Sequence, residues 1–303
     1  VNSQVFDHTS VLRFIEARFG VKETNIGAWR RAVAGDLTSC FNFTDPEDSE
    51  FFSKLPGTVA LANRARALPG TTTPPVPGAL QLPSQNAGVR PARPLPYDLQ
   101  ATAALSTGAG PNATTIAVTF QNTGTAAAVF HVYDRTRLNE IPRRYTVEAG
   151  KQLTGSFVPQ TTGAYDLWIL GPNGFHRHIA GNAGPAAAAG QPNPEVTAQA
   201  APATGELVLT LVNTGPVAAT FSVAHNKYQT GAPRSVNVPA RSRSELRLGV
   251  AVAAHWYDVS VRVGGQPDFL RRFAGHIETG APSVSDPAME GLAKADQYRV
   301  QGA

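Results

Sequence analysis

Hydrophobic and polar positions alternate along most of this chain. Ile116, Val118 and Phe120 alternate with Thr115, Ala117 and Thr119, the period-two signature of a half-buried strand. Asn122-Thr123-Gly124 then turns the chain, with Gly124 or Asn122 expected at positive φ. Ala128, Phe130 and Val132 form the returning face. Leu99–Leu105, Arg144–Val147, Lys151–Val158, Tyr165–Ile169 and Phe175–Ala180 complete about seven strands.

The same plan then occurs again. Thr115–Gly124 matches Glu206–Gly215, and Phe130 and Val132 match Phe221 and Val223. Ala164-Tyr165-Asp166-Leu167 matches Trp256-Tyr257-Asp258-Val259, and Phe175–Gly181 matches Phe269–Gly275. A period near 90 residues is too long for a solenoid repeat and suits a small β-sandwich. The expected architecture is therefore mainly β, with two tandem Ig-like antiparallel β-sandwich domains at 97–183 and 195–278. The corner residues Tyr165 and Tyr257 are expected to be core pegs whose hydroxyls bond local backbone.

The N-terminal 68 residues follow a helical period instead. Val11, Phe14, Ile15 and Phe19 fall on one face, with Arg13, Glu16 and Arg18 outside it. Thr9 or Ser10 is the expected N-cap and Gly20 suits the C′ position. A second short helix is expected over Ala28–Ala34, and an acidic turn or helix start at Asp45–Asp48. Thr58–Leu68 carries helix formers with a weak apolar stripe. Two or three short helices cannot build a core alone, so this part is expected to dock on another body. Residues 69–96 read as a Pro-rich linker, 184–194 as a Gly/Ala/Pro linker, and 279–303 as a tail with one weak helix over Met289–Tyr298.

Composition narrows the function. The 28 Gly and 24 Pro favour turns over long helices. Lys and Arg exceed Asp and Glu by four, 26 against 22, too small and scattered a surplus for a nucleic-acid face. The single Cys40 excludes an intrachain disulfide and is expected to be a small buried hydrophobe. No apolar run reaches bilayer-spanning length. The opening Val1-Asn2-Ser3-Gln4 is no signal peptide, and the chain looks like a fragment of something longer.

Chemistry is sparse. His176 and His178 share one strand face and can co-ligate a metal only with a further donor; a half-exposed strand face is the simpler account. No metal site is expected in this chain. Asp7-His8-Thr9-Ser10 at a helix start can bind an anion, or can simply cap the helix.

The stretch Phe6–Val21 resembles the last conserved block of the bacterial phosphoesterase family, and Ile26–Ser39 resembles the block that follows it in the phosphocholine-preferring phospholipases C. The tandem β repeats and the tail Glu278–Ala288 resemble the duplicated C-terminal domain and ending of the same enzymes. The resemblance implies that residues 1–68 are the helical end of an alkaline-phosphatase-like α/β catalytic domain lying upstream. It implies a secreted, extracellular or periplasmic bacterial enzyme that uses a divalent metal and cleaves phosphatidylcholine to diacylglycerol and phosphocholine. This chain carries no cofactor and is expected to be inactive alone. Its partners would be the upstream catalytic domain and a phospholipid surface. His8, with Asp7, would face the active site. Trp256 and Phe175, beside Arg177, Arg271 and Arg272, would meet membrane or substrate. The competing readings are purely structural bracing and, without an enzymatic parent, a tandem Ig-like adhesion or carbohydrate-binding module.

Overall fold

A computed structural model describes residues 1–43, 56–70, 88–107, 114–186 and 190–289. The acidic turn at Asp45–Asp48, most of the Pro-rich linker and most of the tail helix expected over Met289–Tyr298 lie outside these residues. Two units are distinguished, residues 1–39 with 88–288, and residues 40–87 with 289–303. In the second unit the described residues include the helix α3 (Val59–Arg66), and Cys40 is solvent exposed rather than buried.

The first unit begins with α1 (Thr9–Phe19) and α2 (Ala28–Val33). Among the described residues fourteen longer strands follow. They are β2 (Leu99–Thr107), β3 (Thr114–Asn122), β4 (Ala128–Asp134), β5 (Arg143–Val147), β6 (Lys151–Phe157), β7 (Ala164–Leu170) and β8 (His176–Asn182) in the first repeat. In the second they are β9 (Pro194–Ala201), β10 (Glu206–Asn213), β11 (Ala219–His225), β12 (Arg234–Val238), β13 (Ser242–Gly249), β14 (Trp256–Val263) and β15 (Gln266–His276). A one-turn helix α4 (Ala183–Ala186) ends the first repeat. Short strands β1 (Pro91–Ala92) and β16 (Ser283–Val284) pair with each other, tying the segment before the repeats to the segment after them.

Each repeat is a sandwich. A three-stranded sheet, β2-β3-β6 or β13-β10-β9, packs on a four-stranded one. Alternation decides which side chains go inside: along β3, Ile116, Val118 and Phe120 are buried, and along β10, Leu207, Leu209 and Leu211. Phe130 and Phe221 fill the centres of the two cores.

The two four-stranded sheets are not separate. β8 pairs antiparallel with β15, giving one eight-stranded sheet ordered β12-β11-β14-β15-β8-β7-β4-β5. In that pairing His178 lies opposite Arg272, its own counterpart in the other repeat. Arg177 lies opposite Phe273, and Ile179 opposite Arg271, so the pairing is symmetric about the His178–Arg272 position. A local two-fold axis therefore relates the repeats, and the junction has the self-complementary character of a homodimer interface within one chain.

The repeated Asn-Thr-Gly is explained by close packing rather than by positive φ. Neither Asn122 nor Gly124 lies in the left-handed region, which corrects the expectation from sequence. Asn213 is fully buried and donates to the carbonyls of Val217, Val238 and Pro239, while its Oδ1 accepts from the Gly215 amide at 3.1 Å. Asn122 does the same with Ala126, Val147 and Gly124. A Cβ at Gly124 would stand 2.3 Å from the Pro96 carbonyl oxygen, and one at Gly215 2.5 Å from that of Gln191, so only glycine fits.

Candidate functional site: the seam between repeats and the N-terminal helix pair

Two regions concentrate polar chemistry. The first is the seam along the local two-fold axis. Phe175-x-Arg177-x-Ile179 and Phe269-x-Arg271-x-Phe273 keep strict period two, which turns an arginine inward in both copies. Arg177 is 2% exposed and Arg271 3%. A buried guanidinium has to find acceptors. Arg271 Nη1 donates to the Ala180 carbonyl at 2.7 Å and Nη2 to the Tyr165 hydroxyl at 3.0 Å, both in the other repeat. Arg177 Nη1 donates to the Ala274 carbonyl at 2.9 Å and Nη2 to the Tyr257 hydroxyl at 3.1 Å. Each repeat thus inserts its arginine beneath the corner tyrosine of the other. The tyrosine hydroxyls bond across the seam, not local backbone as the sequence suggested.

The clasp is symmetric in geometry and asymmetric in charge. Arg271 also meets Glu195, with Nε at 2.7 Å and Nη2 at 2.8 Å. Burial pulls the Arg271 pKa down, but Glu195 and Tyr165 outweigh it and hold the pKa above the ordinary arginine value. Arg177 relies on aromatic faces, with Phe175 at 4.1 Å, Phe273 at 5.5 Å and Tyr257 at 5.8 Å. A cavity of about 280 Å³ opens beside the Arg271 end, lined among others by Leu105, Tyr165, Glu195, Asp268 and Phe269.

The five residues expected at a membrane face are therefore mostly interior, and that expectation is corrected. Phe175, Trp256, Arg177 and Arg271 are buried. The Trp256 indole N–H donates to the Val284 carbonyl at 3.1 Å. Arg272 is partly exposed but holds Asp258 through two bonds, at 2.8 and 2.6 Å. The matched Asp166 receives His178 at 2.6 Å and Arg135 at 3.0 Å. The repeated Asp thus anchors the residue at the two-fold position, whichever residue stands there.

His176 and His178 stack at 6.4 Å between ring centroids. Burial, aided by Arg272 and His178, lowers the His176 pKa to about 4, so its ring is neutral at pH 7. Among the described residues no three of His, Cys, Asp and Glu converge on a common point.

The second region is the N-terminal helix pair. His8 occupies the N-cap position of α1 but makes no capping bond with its side chain. Asp7 does that work: its Oδ1 accepts from the Thr9 amide at 2.8 Å and the Thr9 hydroxyl at 2.6 Å, and its other oxygen pairs with Arg30 of α2. The Thr9 hydroxyl bond, opposed by some burial and reinforced by Arg30, lowers the Asp7 pKa to about 2. Thr9 and Ser10, expected as caps, lie buried just inside the helix. His8 is left exposed beside them.

The helix pair is inside out. The charged side of α1 is the side that packs: Glu16 accepts two bonds from Arg31 of α2, at 3.0 and 2.8 Å, and Arg13 donates to the carbonyls of Arg31 and Ala34. The apolar side faces outward, with Val11 53%, Leu12 45%, Ile15 46% and Phe19 66% exposed. The pair is held on the first repeat by Tyr97, whose hydroxyl accepts from the Val5 amide at 2.9 Å, by the Ala127 amide to the Ala32 carbonyl at 3.1 Å, and by the Trp29 indole to Thr146 at 3.0 Å.

Comparison with known proteins places this architecture. The sequence profile of the family described as bacterial phospholipase C, C-terminal domain, matches twice, over residues 91–182 and 194–276. The chain belongs to that family. It is 44% identical over 290 residues to a non-hemolytic phospholipase C of Pseudomonas aeruginosa, covering 95% of this chain and 41% of the relative. It is 43% identical over 293 residues to a non-hemolytic phospholipase C of Burkholderia pseudomallei, covering 95% and 40%. A hemolytic phospholipase C of Pseudomonas aeruginosa is 37% identical over 317 residues, covering 96% and 43%. The chain spans about two fifths of the length of these curated relatives. Both matched segments fall on the β repeats, and the relatives extend the likeness over the helix pair, since 95% of the chain is covered. No helix among the described residues is long and apolar enough to cross a membrane.

Proposed function

We propose that this chain is the C-terminal accessory part of a secreted bacterial phospholipase C. The catalytic body precedes it, binds a divalent metal, and hydrolyses phosphatidylcholine to diacylglycerol and phosphocholine. The helix pair is the outer end of that body, carried on the first β repeat. His8 faces the active site from its exposed place at the start of α1, and Asp7 sets its position by fixing the helix start and the α1–α2 angle.

The observation that carries this reading is the inverted amphipathicity of α1. Four large apolar side chains in one exposed stripe cost solubility with no return unless another surface covers them. The covering surface is the upstream body, because relatives 44% and 37% identical to this chain run more than twice its length and carry the name phospholipase C. In the full-length enzyme, Val11→Asp with Ile15→Asp is expected to lower hydrolysis of p-nitrophenylphosphorylcholine at least tenfold, each buried aliphatic contact being worth about 1.5–3 kcal/mol. Unchanged activity with a normally folded protein would overturn the docking.

A further inference from the structure

We propose that the connection between β4 and β5, residues 135–142, is a lipid-docking loop that seats the first repeat on an anionic phospholipid surface. The proposal rests on the reading that this chain serves an enzyme working at such a surface, and it assigns the contact to residues other than the buried Trp256 and Phe175.

Leu138 is 61% exposed and Ile141 82% exposed, three residues apart in this connection. Arg137 and Arg143 lie beside Ile141 and the exposed acid Glu140, and Arg144 follows Arg143 on the opposite face of β5, beside His131. Two of the arginines are pre-positioned. Arg143 stacks on Phe157 at 4.8 Å and donates to the Ser156 carbonyl at 2.8 Å. Arg137 is held by Asp134 at 3.2 Å, whose Oδ1 also fixes the turn by accepting from the Thr136 amide at 2.9 Å. The result is a pair of exposed apolar side chains with ordered arginines beside them.

The second repeat supplies an internal control. The corresponding connection, between β11 and β12, runs Asn226-Lys227-Tyr228-Gln229-Thr230-Gly231-Ala232-Pro233 and contains no large aliphatic residue. Its one aromatic side chain, Tyr228, donates to Asp286 at 2.8 Å. Two copies with the same strand plan thus close the same connection in different ways. Leu138 and Ile141 are not required by the sandwich, so their exposure calls for another account.

The chemistry favours a bilayer over a protein groove. Exposed apolar side chains insert at the headgroup–acyl boundary, while the arginines beside them meet anionic headgroups. Position permits it as well. The start of β4 lies against the helix pair through Ala127 and Ala32, and the loop lies at the far end of the strand, about 20 Å away for seven residues. Lipid and the upstream body can therefore bind the same repeat at once.

The test is co-sedimentation of the full chain with vesicles of phosphatidylcholine alone and of phosphatidylcholine mixed with phosphatidylglycerol. The wild type is expected to pellet with the mixed vesicles. Leu138→Asp with Ile141→Asp is expected to weaken that partition about tenfold or more. Arg143→Glu with Arg144→Glu is expected to remove the preference for the anionic vesicles. Val252→Asp, at an equally exposed but isolated valine, is expected to bind like wild type. A wild type that pellets with neither vesicle, or a Leu138/Ile141 variant that pellets normally, overturns the proposal. Either of those results beside a crippled Val11/Ile15 enzyme would leave the accessory reading standing and remove the loop alone. A Val11/Ile15 enzyme of full activity beside loop-dependent vesicle binding would do the reverse.

Discussion

Arg271→Leu is expected to destabilise the protein by about 3–5 kcal/mol, the range for stranding one partner of a buried ion pair. Every N–H of Arg271 is engaged: Nε and Nη2 by Glu195, Nη2 also by the Tyr165 hydroxyl, and Nη1 by the carbonyls of Ala180 and Leu270. Leucine fills part of the volume and answers none of these acceptors. Arg177→Leu removes the matching clasp but leaves no carboxylate behind, and the smaller loss is expected there. The double change Arg271→Leu with Glu195→Leu should recover part of the loss, because removing both charges also removes the stranded one. Urea denaturation followed by fluorescence and by circular dichroism gives the check. The wild type should show one transition. Arg271→Leu should separate the two repeats into two, because the seam is what makes one eight-stranded sheet of them. A single transition at wild-type midpoint would contradict the clasp.

The second large effect is expected at Asn213→Ala, a loss of about 3 kcal/mol. Three carbonyls lose their donor and the Gly215 amide loses its acceptor, the Val238 and Gly215 bonds being fully buried and the other two part-buried. Each unsatisfied buried group costs about 1–3 kcal/mol, and neighbouring losses are less than additive. Asn213→Asp separates the two halves of the effect. It keeps the acceptor for Gly215 but sets a carboxylate against carbonyl oxygens, so it is expected to be no better than alanine. Asn122→Ala in the first repeat should reproduce the loss. Denaturant midpoints of the three variants are the measurement, and shifts worth under about 1 kcal/mol would show that water substitutes for the side chain.

The sheets were legible in the sequence because each repeat buries one face of every strand, so period-two alternation survives in the burial of β3, β10 and β11. The duplication was legible because the turn residues recur with the strands. The reason for the turn residues was not. Gly124 suggested positive φ, whereas it is small because the chain before β2 passes directly over it. The seam was hidden for a different reason. Arg177 and Arg271 sit at inward positions between apolar neighbours in both copies, which was a readable signal. Treated as surface cations they pointed to lipid. Only the pairing of β8 with β15 shows that each arginine reaches the other repeat, and no local pattern specifies that pairing. The helix pair misled in the same way. Of the expected apolar stripe of α1, Val11, Ile15 and Phe19 are exposed and Phe14 is half-buried, and within this chain the opposite, charged face does the packing, because Arg13 and Glu16 find carbonyls and Arg31 of the α2 segment.

The most direct test is hydrolysis of p-nitrophenylphosphorylcholine by the 303-residue chain alone, with and without added divalent metal, beside the full-length enzyme. Activity is expected in the full-length enzyme and none in the chain, because the proposed catalytic body lies outside these residues and Asp7 is committed to Thr9 and Arg30. Metal-dependent turnover by the chain itself would contradict it and place catalysis within these residues.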